Sequence, residues 1–202
     1  MRSRTPNGQS IEASTRLIEV RGINRWETRK AVYEIALESG ESAFMRIDGT
    51  SCLNAERMVV LVDAQRFLLH WRADRNGLHA NEANGNPDTW VHDYKFDLAA
   101  KGFAHGAENP VPLAEVGCWL KPDVHLPAAR FSAKGARLPS ASPVVTFTNG
   151  ITRTLWLLAH GAASFPVECS RNESTLLSHC CGIPGMAPQS VFEITHAMDR
   201  SD

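Results

Sequence analysis

The pentapeptide Asn149-Gly150-Ile151-Thr152-Arg153 combines residue types that together could bind a phosphate group. Asn149 tolerates a sharp turn, and Gly150 leaves room for a ligand to approach the main chain. A helix that begins here offers free backbone amides and the positive end of its dipole. Thr152 adds a hydroxyl, and Arg153 adds a planar pair of donors suited to phosphate oxygens. These five residues are therefore predicted to form a phosphate site.

A solvated arginine on a common strand–turn–helix unit is the alternative interpretation of the same segment. A cation in the first turn of a helix is unfavourable for the helix dipole. The position of Arg153 is easier to understand if an anion lies between the guanidinium and the helix start.

Three consecutive elements are needed to position this segment. The apolar run Val144–Thr148 predicts a buried strand, Ile151–His160 predicts a helix, and Phe165–Cys169 predicts a second strand. Thr148 or Asn149 is expected to cap the helix.

The rest of the chain alternates between short apolar patterns and polar loops. Strands are predicted at Leu17–Val20, Phe44–Ile47 and Arg57–Val62. Helices are predicted at Glu27–Leu37, at Ala64–Arg72 after an Asp63 cap, at Asp93–Lys101 and at Ser174–Cys181. A last element, whose type the pattern does not specify, is predicted at Val191–His196. Residues 73–89 are predicted to form a loop because they are rich in Asn, Gly, Asp and Pro. Most of 121–143 is also predicted to be loop, because this segment holds four prolines.

Carboxylates near the middle of the chain are candidates for hydrolytic chemistry. Asp93 and Asp97 are one helical turn apart in the predicted helix and could together hold Mg²⁺. Asp93 and Glu108, with Arg153, are the candidate catalytic residues, because hydrolysis needs an activated water and charge neutralisation. The alternative is that Asp93 and Asp97 form a solvated helix face with Lys95, and that Glu108 merely belongs to a loop.

Nucleic-acid contacts must come from a local patch, because the formal net charge is -1. Arg130, Lys134 and Arg137 precede the phosphate motif and could guide a nucleic-acid backbone, although a solvated loop is the simpler interpretation. Most tryptophans of a chain this size belong to the core, and Trp90, in a polar segment, is the exception that could stack on a base.

A family resemblance is carried by Asn149–Arg153 followed by Phe165-Pro166-Val167. This pattern resembles the signature of the ParB/sulfiredoxin superfamily, in which a strand leads into a Gly-x-x-Arg turn, a helix and a strand with Pro-Val. The usual Asp and His of that signature are Asn149 and Thr152 here, and the cysteine required for sulfiredoxin activity does not precede the turn. With the segments 109–116 and 152–161, the chain is similar to the plasmid fertility-inhibition factors over roughly residues 90–170.

That resemblance implies an α/β (α+β) fold: a ParB/sulfiredoxin-like single domain with a small mixed sheet and surrounding helices. We expect this domain to span 15–202 after a disordered tail at 1–14. The family further implies ATP binding with ATPase and DNase activity, and interference with conjugative or T-DNA transfer. Expected partners are DNA, ATP and a type IV secretion coupling protein. The alternative function is a non-catalytic inhibitor that binds the coupling protein or DNA.

Composition excludes several other classes of protein. The 202 residues include five cysteines, at scattered positions with no CxxC pair, which argues against a disulfide scaffold and a structural zinc site. No run of about 18 apolar residues occurs, so no membrane insertion is expected. The start of the chain has no apolar signal-peptide core, and we expect a cytoplasmic protein.

Overall fold

The computed structural model describes residues 15–21, 30–48, 51, 54, 56–122 and 141–196. The predicted tail at 1–14 and most of the predicted loop at 121–143 lie outside these ranges, and the proposed single domain over 15–202 stays a prediction. The described strands, in chain order, are β1 Thr15–Arg21, β2 Lys30–Ala36, β3 Ser42–Arg46, β4 Arg57–Asp63, β5 Val111–Pro112, β6 Ala114–Pro122, β7 Ala141–Asn149, β8 Ser164–Ser170 and β9 Gln189–Ser190. The helices are α1 Ala64–Arg72, α2 Ala80–Ala83, α3 Pro87–Trp90, α4 Phe96–Phe103, α5 Ile151–Ala159, α6 Arg171–Cys181 and α7 Val191–His196, with a 3₁₀ turn at Gly106–Glu108.

The strands form two mixed sheets. The first has the order β1-β2-β3-β5, in which only the short β3–β5 pair is parallel. The second has the order β7-β6-β8-β4-β9, in which β6 and β8 are parallel and the other pairs antiparallel. One core cluster contains residues of both sheets, including the fully buried Tyr33 of β2 and Phe165 of β8. The mixed α/β fold class is therefore as predicted.

Elements with strong local signals were predicted correctly. The strands β1, β3 and β4 overlap their predicted ranges. Helix α1 begins after Asp63, whose Oδ1 accepts a hydrogen bond from the Arg66 amide at 2.9 Å. The β7–α5–β8 unit and helix α6 also lie where the apolar patterns indicated.

The predicted helix at Glu27–Leu37 is wrong, because residues 30–36 form strand β2. Ala31, Tyr33 and Ile35 alternate into the core with the two-residue period of a strand. The strand is paired along both edges, to β1 and to β3. Ladder bonds on two sides and burial outweigh the high helix propensity of Ala and Glu, because tertiary context routinely overrides propensity.

The predicted loop at 73–89 is also partly wrong, since it contains α2 and the start of α3. The Asn86-Pro87 pair, typical of a turn, is here the N-cap and first residue of α3. Asn86 Oδ1 accepts hydrogen bonds from the amides of Asp88 and Thr89, which forms a capping box with the Thr89 hydroxyl. Trp90, at the end of α3, is buried and its Nε1 donates to the Glu82 carbonyl at 2.7 Å. Trp90 is therefore a core residue and does not present a surface for stacking on a base.

The helix predicted at Asp93–Lys101 begins three residues later, at Phe96. Asp93 belongs to the preceding turn, where its Oδ1 accepts a hydrogen bond from the Lys95 amide at 2.9 Å. This shift removes the basis for placing Asp93 and Asp97 on one helical face.

The helices in the described ranges are all too short or too polar to cross a membrane.

Candidate functional site

Helix α5 begins without a side-chain cap. Its N-cap residue is Gly150, with φ +91°, and within the described part of the chain no side-chain cap hydrogen bond is present at this helix start. The first amide bonded back into the helix is that of Thr154, which donates to the Gly150 carbonyl at 3.1 Å. The predicted cap by Thr148 or Asn149 is therefore wrong. The amides of residues 151–153 remain as donors for a ligand, as at many helix starts that bind anions.

Close packing against β6 requires glycine at position 150. A Cβ atom there would lie 2.7 Å from the Cα of Ala114 and 2.9 Å from Nη2 of Arg153. The left-handed φ angle is a second reason for glycine at this position. Both constraints hold the start of α5 tightly against the sheet.

The Arg153 side chain folds back over this junction. Its Nη2 donates to the Leu113 carbonyl at 3.3 Å, while its buried Nε has no hydrogen-bond partner among the described residues. Burial lowers the pKa of the Arg153 guanidinium, with Glu115 opposing and Arg46 reinforcing that effect. A desolvated and incompletely paired cation gains much from a nearby anion.

A cleft of about 540 Å³ opens at this helix start. One part of its lining is the segment 148–153, which includes all five residues predicted to bind phosphate. The turn before α4 and its first residues contribute Asp93, Tyr94, Lys95 and Leu98, and the α2 region contributes His79 and Glu82. This volume lies within the usual range of small-molecule sites, roughly 300–1,000 Å³.

The predicted acidic residues are only partly brought together. Asp93 lines the cleft, whereas Asp97 and Glu108 are exposed and are not among the described residues that line it. Asp97 lies beyond the shifted start of α4, and Glu108 ends the 3₁₀ turn. Asp97 therefore does not line the cleft with Asp93, as the predicted metal-binding pair requires. Arg130, Lys134 and Arg137 lie outside the described residues.

Several residues of the cleft lining, among them Glu82, Tyr94 and Leu98, were not predicted from the sequence. Glu82 lies in α2, within the segment interpreted as a loop, and its Oε1 is 3.7 Å from Nδ1 of His79. Tyr94 was not predicted as a site residue, because the neighbouring Asp93 and Asp97 carry the residue types typical of hydrolytic chemistry. Correct recognition of the Asn86-Pro87 helix start would have indicated that this segment is ordered.

A partly buried ion network joins strands β4, β6 and β8. Arg57 Nε donates to Oε1 of Glu168 at 2.5 Å, and Arg57 Nη2 is 3.5 Å from Oε2 of Glu115. Burial alone would lower the pKa of Arg57, but the hydrogen bond and charge of Glu168, with Glu115, raise it overall. Glu115 also raises the pKa of Arg153 through its charge, so this carboxylate acts electrostatically on both arginines.

Fold and cleft together define a mixed α/β protein whose cleft is built on a strand–glycine–helix junction. The model of the plasmid fertility inhibition factor family matches residues 59–182, and the chain belongs to that family. It is 30% identical to Protein osa of Shigella flexneri over 171 residues, covering 85% of this chain and 77% of that protein. It also resembles the crystal structure of Oncogenic Suppression Activity Protein, described as a plasmid fertility inhibition factor in a gold(I) cyanide derivative. The TM-score is 0.67 at 25% identity, covering 92% of this chain and 83% of the other. The family predicted from the sequence is thereby confirmed.

Proposed function

We propose that this plasmid fertility inhibition factor binds the phosphates of a nucleotide at the start of α5. It would hydrolyse ATP or DNA phosphodiesters there, and so suppress conjugative or T-DNA transfer. The observation that carries the proposal is the uncapped helix start beside the half-buried Arg153 guanidinium, whose buried Nε has no hydrogen-bond partner among the described residues.

The residues of the cleft have complementary roles in this proposal. Arg153 stabilises negative charge that develops on the phosphoryl oxygens, and the amides of residues 151–153 bind the same oxygens. Asn149 and Thr152 orient the phosphate through neutral hydrogen bonds, in place of the ionisable groups usual in the superfamily signature.

Asp93 and Glu82 are the carboxylates of the cleft lining available for Mg²⁺ or for positioning water. Magnesium sites with nucleotides commonly use one or two carboxylates together with the substrate's phosphates, so this donor set fits. Bound Mg²⁺ would neutralise phosphate charge. Within the described ranges, no three His, Cys, Asp or Glu side chains form a metal site of their own, so the phosphates would have to supply ligands. Glu108 has no part in this arrangement, because it lies outside the cleft lining.

Turnover of ATP and of plasmid DNA by wild type and Arg153→Ala tests the proposal. Removal of one charge-stabilising donor typically lowers kcat by about 100- to 1,000-fold, and a loss of that order is expected here. Arg75→Ala, an exposed arginine outside the cleft lining, is the matched control and should keep wild-type rates. Equal rates in wild type and Arg153→Ala would remove Arg153 from the mechanism.

A second candidate function is a non-catalytic inhibitor that binds the coupling protein or DNA. The observation in its favour is that Asn149 and Thr152 replace the ionisable residues of the superfamily signature. An inhibitor of this kind should still block plasmid transfer between cells when Arg153 is replaced. A mating assay with Arg153→Ala therefore separates the two functions, because loss of inhibition favours the hydrolase.

A further inference from the structure

Tyr94 presents an aromatic ring at the wall of the cleft. Its side chain is 84% exposed although it lines the cleft, and the neighbouring Leu98 of the same lining is 63% exposed. A large apolar surface at the wall of a concave site is typical of ligand contacts.

The main chain beneath this ring is held in place by a hydrogen-bonded turn. The amide of Asp93 donates to the Trp90 carbonyl at 3.0 Å, and the amide of Phe96 donates to the Asp93 carbonyl at 2.9 Å. The Asp93 side chain closes the turn by accepting from the Lys95 amide. Because Trp90 and Phe96 are buried, both ends of the turn are anchored in the core. The ring of Tyr94 therefore projects from a fixed position.

The cleft has two parts of different chemistry. The start of α5 offers amides and a guanidinium, which suit a phosphate, whereas Tyr94 and Leu98 offer aromatic and aliphatic surface. A nucleoside phosphate has the same division, between a charged end and a flat base. Lys95 Nζ lies over one face of the Tyr94 ring, 5.1 Å from its centre, so a base would stack on the other face, near this positive charge.

We propose that Tyr94 is the platform on which the base of a nucleoside phosphate stacks, with Leu98 packing against the same base. This inference rests on the proposed phosphate site at Gly150–Arg153, and it names the class of ligand as one that carries both a phosphate and a base. Stacking on an exposed aromatic residue accepts any base, so little discrimination among bases is expected.

Calorimetric titration of the full chain with ATP and with inorganic tripolyphosphate, each with Mg²⁺, tests the platform. In wild type, ATP should bind more tightly than tripolyphosphate. Tyr94→Ala should weaken ATP binding by about tenfold or more, as for other stacked bases, and should leave tripolyphosphate binding unchanged. Tyr94→Phe should retain ATP binding, because the ring is kept. Trp119→Ala, an exposed aromatic residue outside the cleft lining, is the matched control and should bind ATP normally.

The outcomes separate this inference from the phosphate site itself. Unchanged ATP binding in Tyr94→Ala, with tripolyphosphate still bound, overturns the platform alone. Failure of wild type to bind either ligand overturns both proposals. If Tyr94→Ala weakens binding of a short oligo(dA) but not of an abasic oligonucleotide of equal length, the platform is supported and a single strand is a source of the base. If Tyr94→Ala no longer inhibits plasmid transfer but still binds ATP and oligonucleotides as wild type does, the platform is overturned. Tyr94 would then contact a protein partner.

Discussion

Replacement of Gly150 by alanine is expected to destabilise the protein by more than its backbone angle alone explains. At φ +91° an L-residue is strained by about 1–2 kcal/mol. The added Cβ would also lie 2.7 Å from Cα and 2.8 Å from Cβ of Ala114, so strand β6 or helix α5 must shift. Overpacking of this kind adds about 1–3 kcal/mol. The expected loss of unfolding free energy is therefore about 2–5 kcal/mol.

Gly40 provides a matched control for the backbone part of this effect. It has a similar angle, φ +86°, but a Cβ added there would have no heavy atom within 4 Å among the described residues. Gly40→Ala should therefore show the angular strain alone, about 1–2 kcal/mol less the small gain from a stiffer unfolded chain. The difference between the two variants measures the overlap with Ala114.

Urea unfolding followed by circular dichroism measures the loss of unfolding free energy in Gly150→Ala and in Gly40→Ala. With a slope of about 2 kcal/mol per molar urea, a difference of about 2 kcal/mol separates the two midpoints by about 1 M. The double variant Gly150→Ala with Ala114→Gly should recover part of the loss, because one of the two overlapping atoms is removed. Equal midpoints for Gly150→Ala and Gly40→Ala would refute the reasoning, since the start of α5 would then not be packed against β6.

Two further predictions concern buried charges and thiols. Glu168→Gln should lower the unfolding free energy by about 3 kcal/mol in denaturant titrations, because Glu168 is 2% exposed and its loss leaves Arg57 with only the longer contact to Glu115. Joint replacement of Arg57 and Glu168 by methionine should restore much of the stability, and no recovery would contradict this account. Burial raises the pKa of Cys118 and of Cys169 to about 12, and it also raises the pKa of the buried Cys180 and Cys181. A Cys52→Ser variant, which keeps only these four thiols, should therefore react with a thiol reagent at pH 8 only slowly until it is unfolded. Fast labelling of the folded variant at Cys118 or Cys169 would show that these thiols are accessible.

Prediction from the sequence succeeded where neighbours along the chain carry the information. The cap by Asp63 and the apolar face of α1 lie within one short segment, as does the strand–turn–helix unit around Gly150. Prediction failed for β2, because its strand state depends on pairing with β1 and β3. It also failed for the segment 73–89, because turn-forming residues and helix caps share the same composition.

The contiguous segment of the candidate site and Asp93 were therefore predicted from the sequence, whereas Tyr94 and Glu82 were not. Asn149–Arg153 form one segment, so their residue types alone indicated a phosphate contact. Asp93, Tyr94 and Glu82 reach the same cleft only through the packing of α2 and of the turn before α4.

By itself the sequence determined the strand–glycine–helix junction and, through its motifs, the family. These features follow from backbone preferences and apolar periodicity within a few consecutive residues. The tertiary structure alone decided which carboxylate and which aromatic ring share the cleft with Arg153, and that Arg57 pairs with Glu168, 111 residues away. Such contacts depend on the order of strands in a sheet and on helix packing, which bring together residues that no local pattern relates.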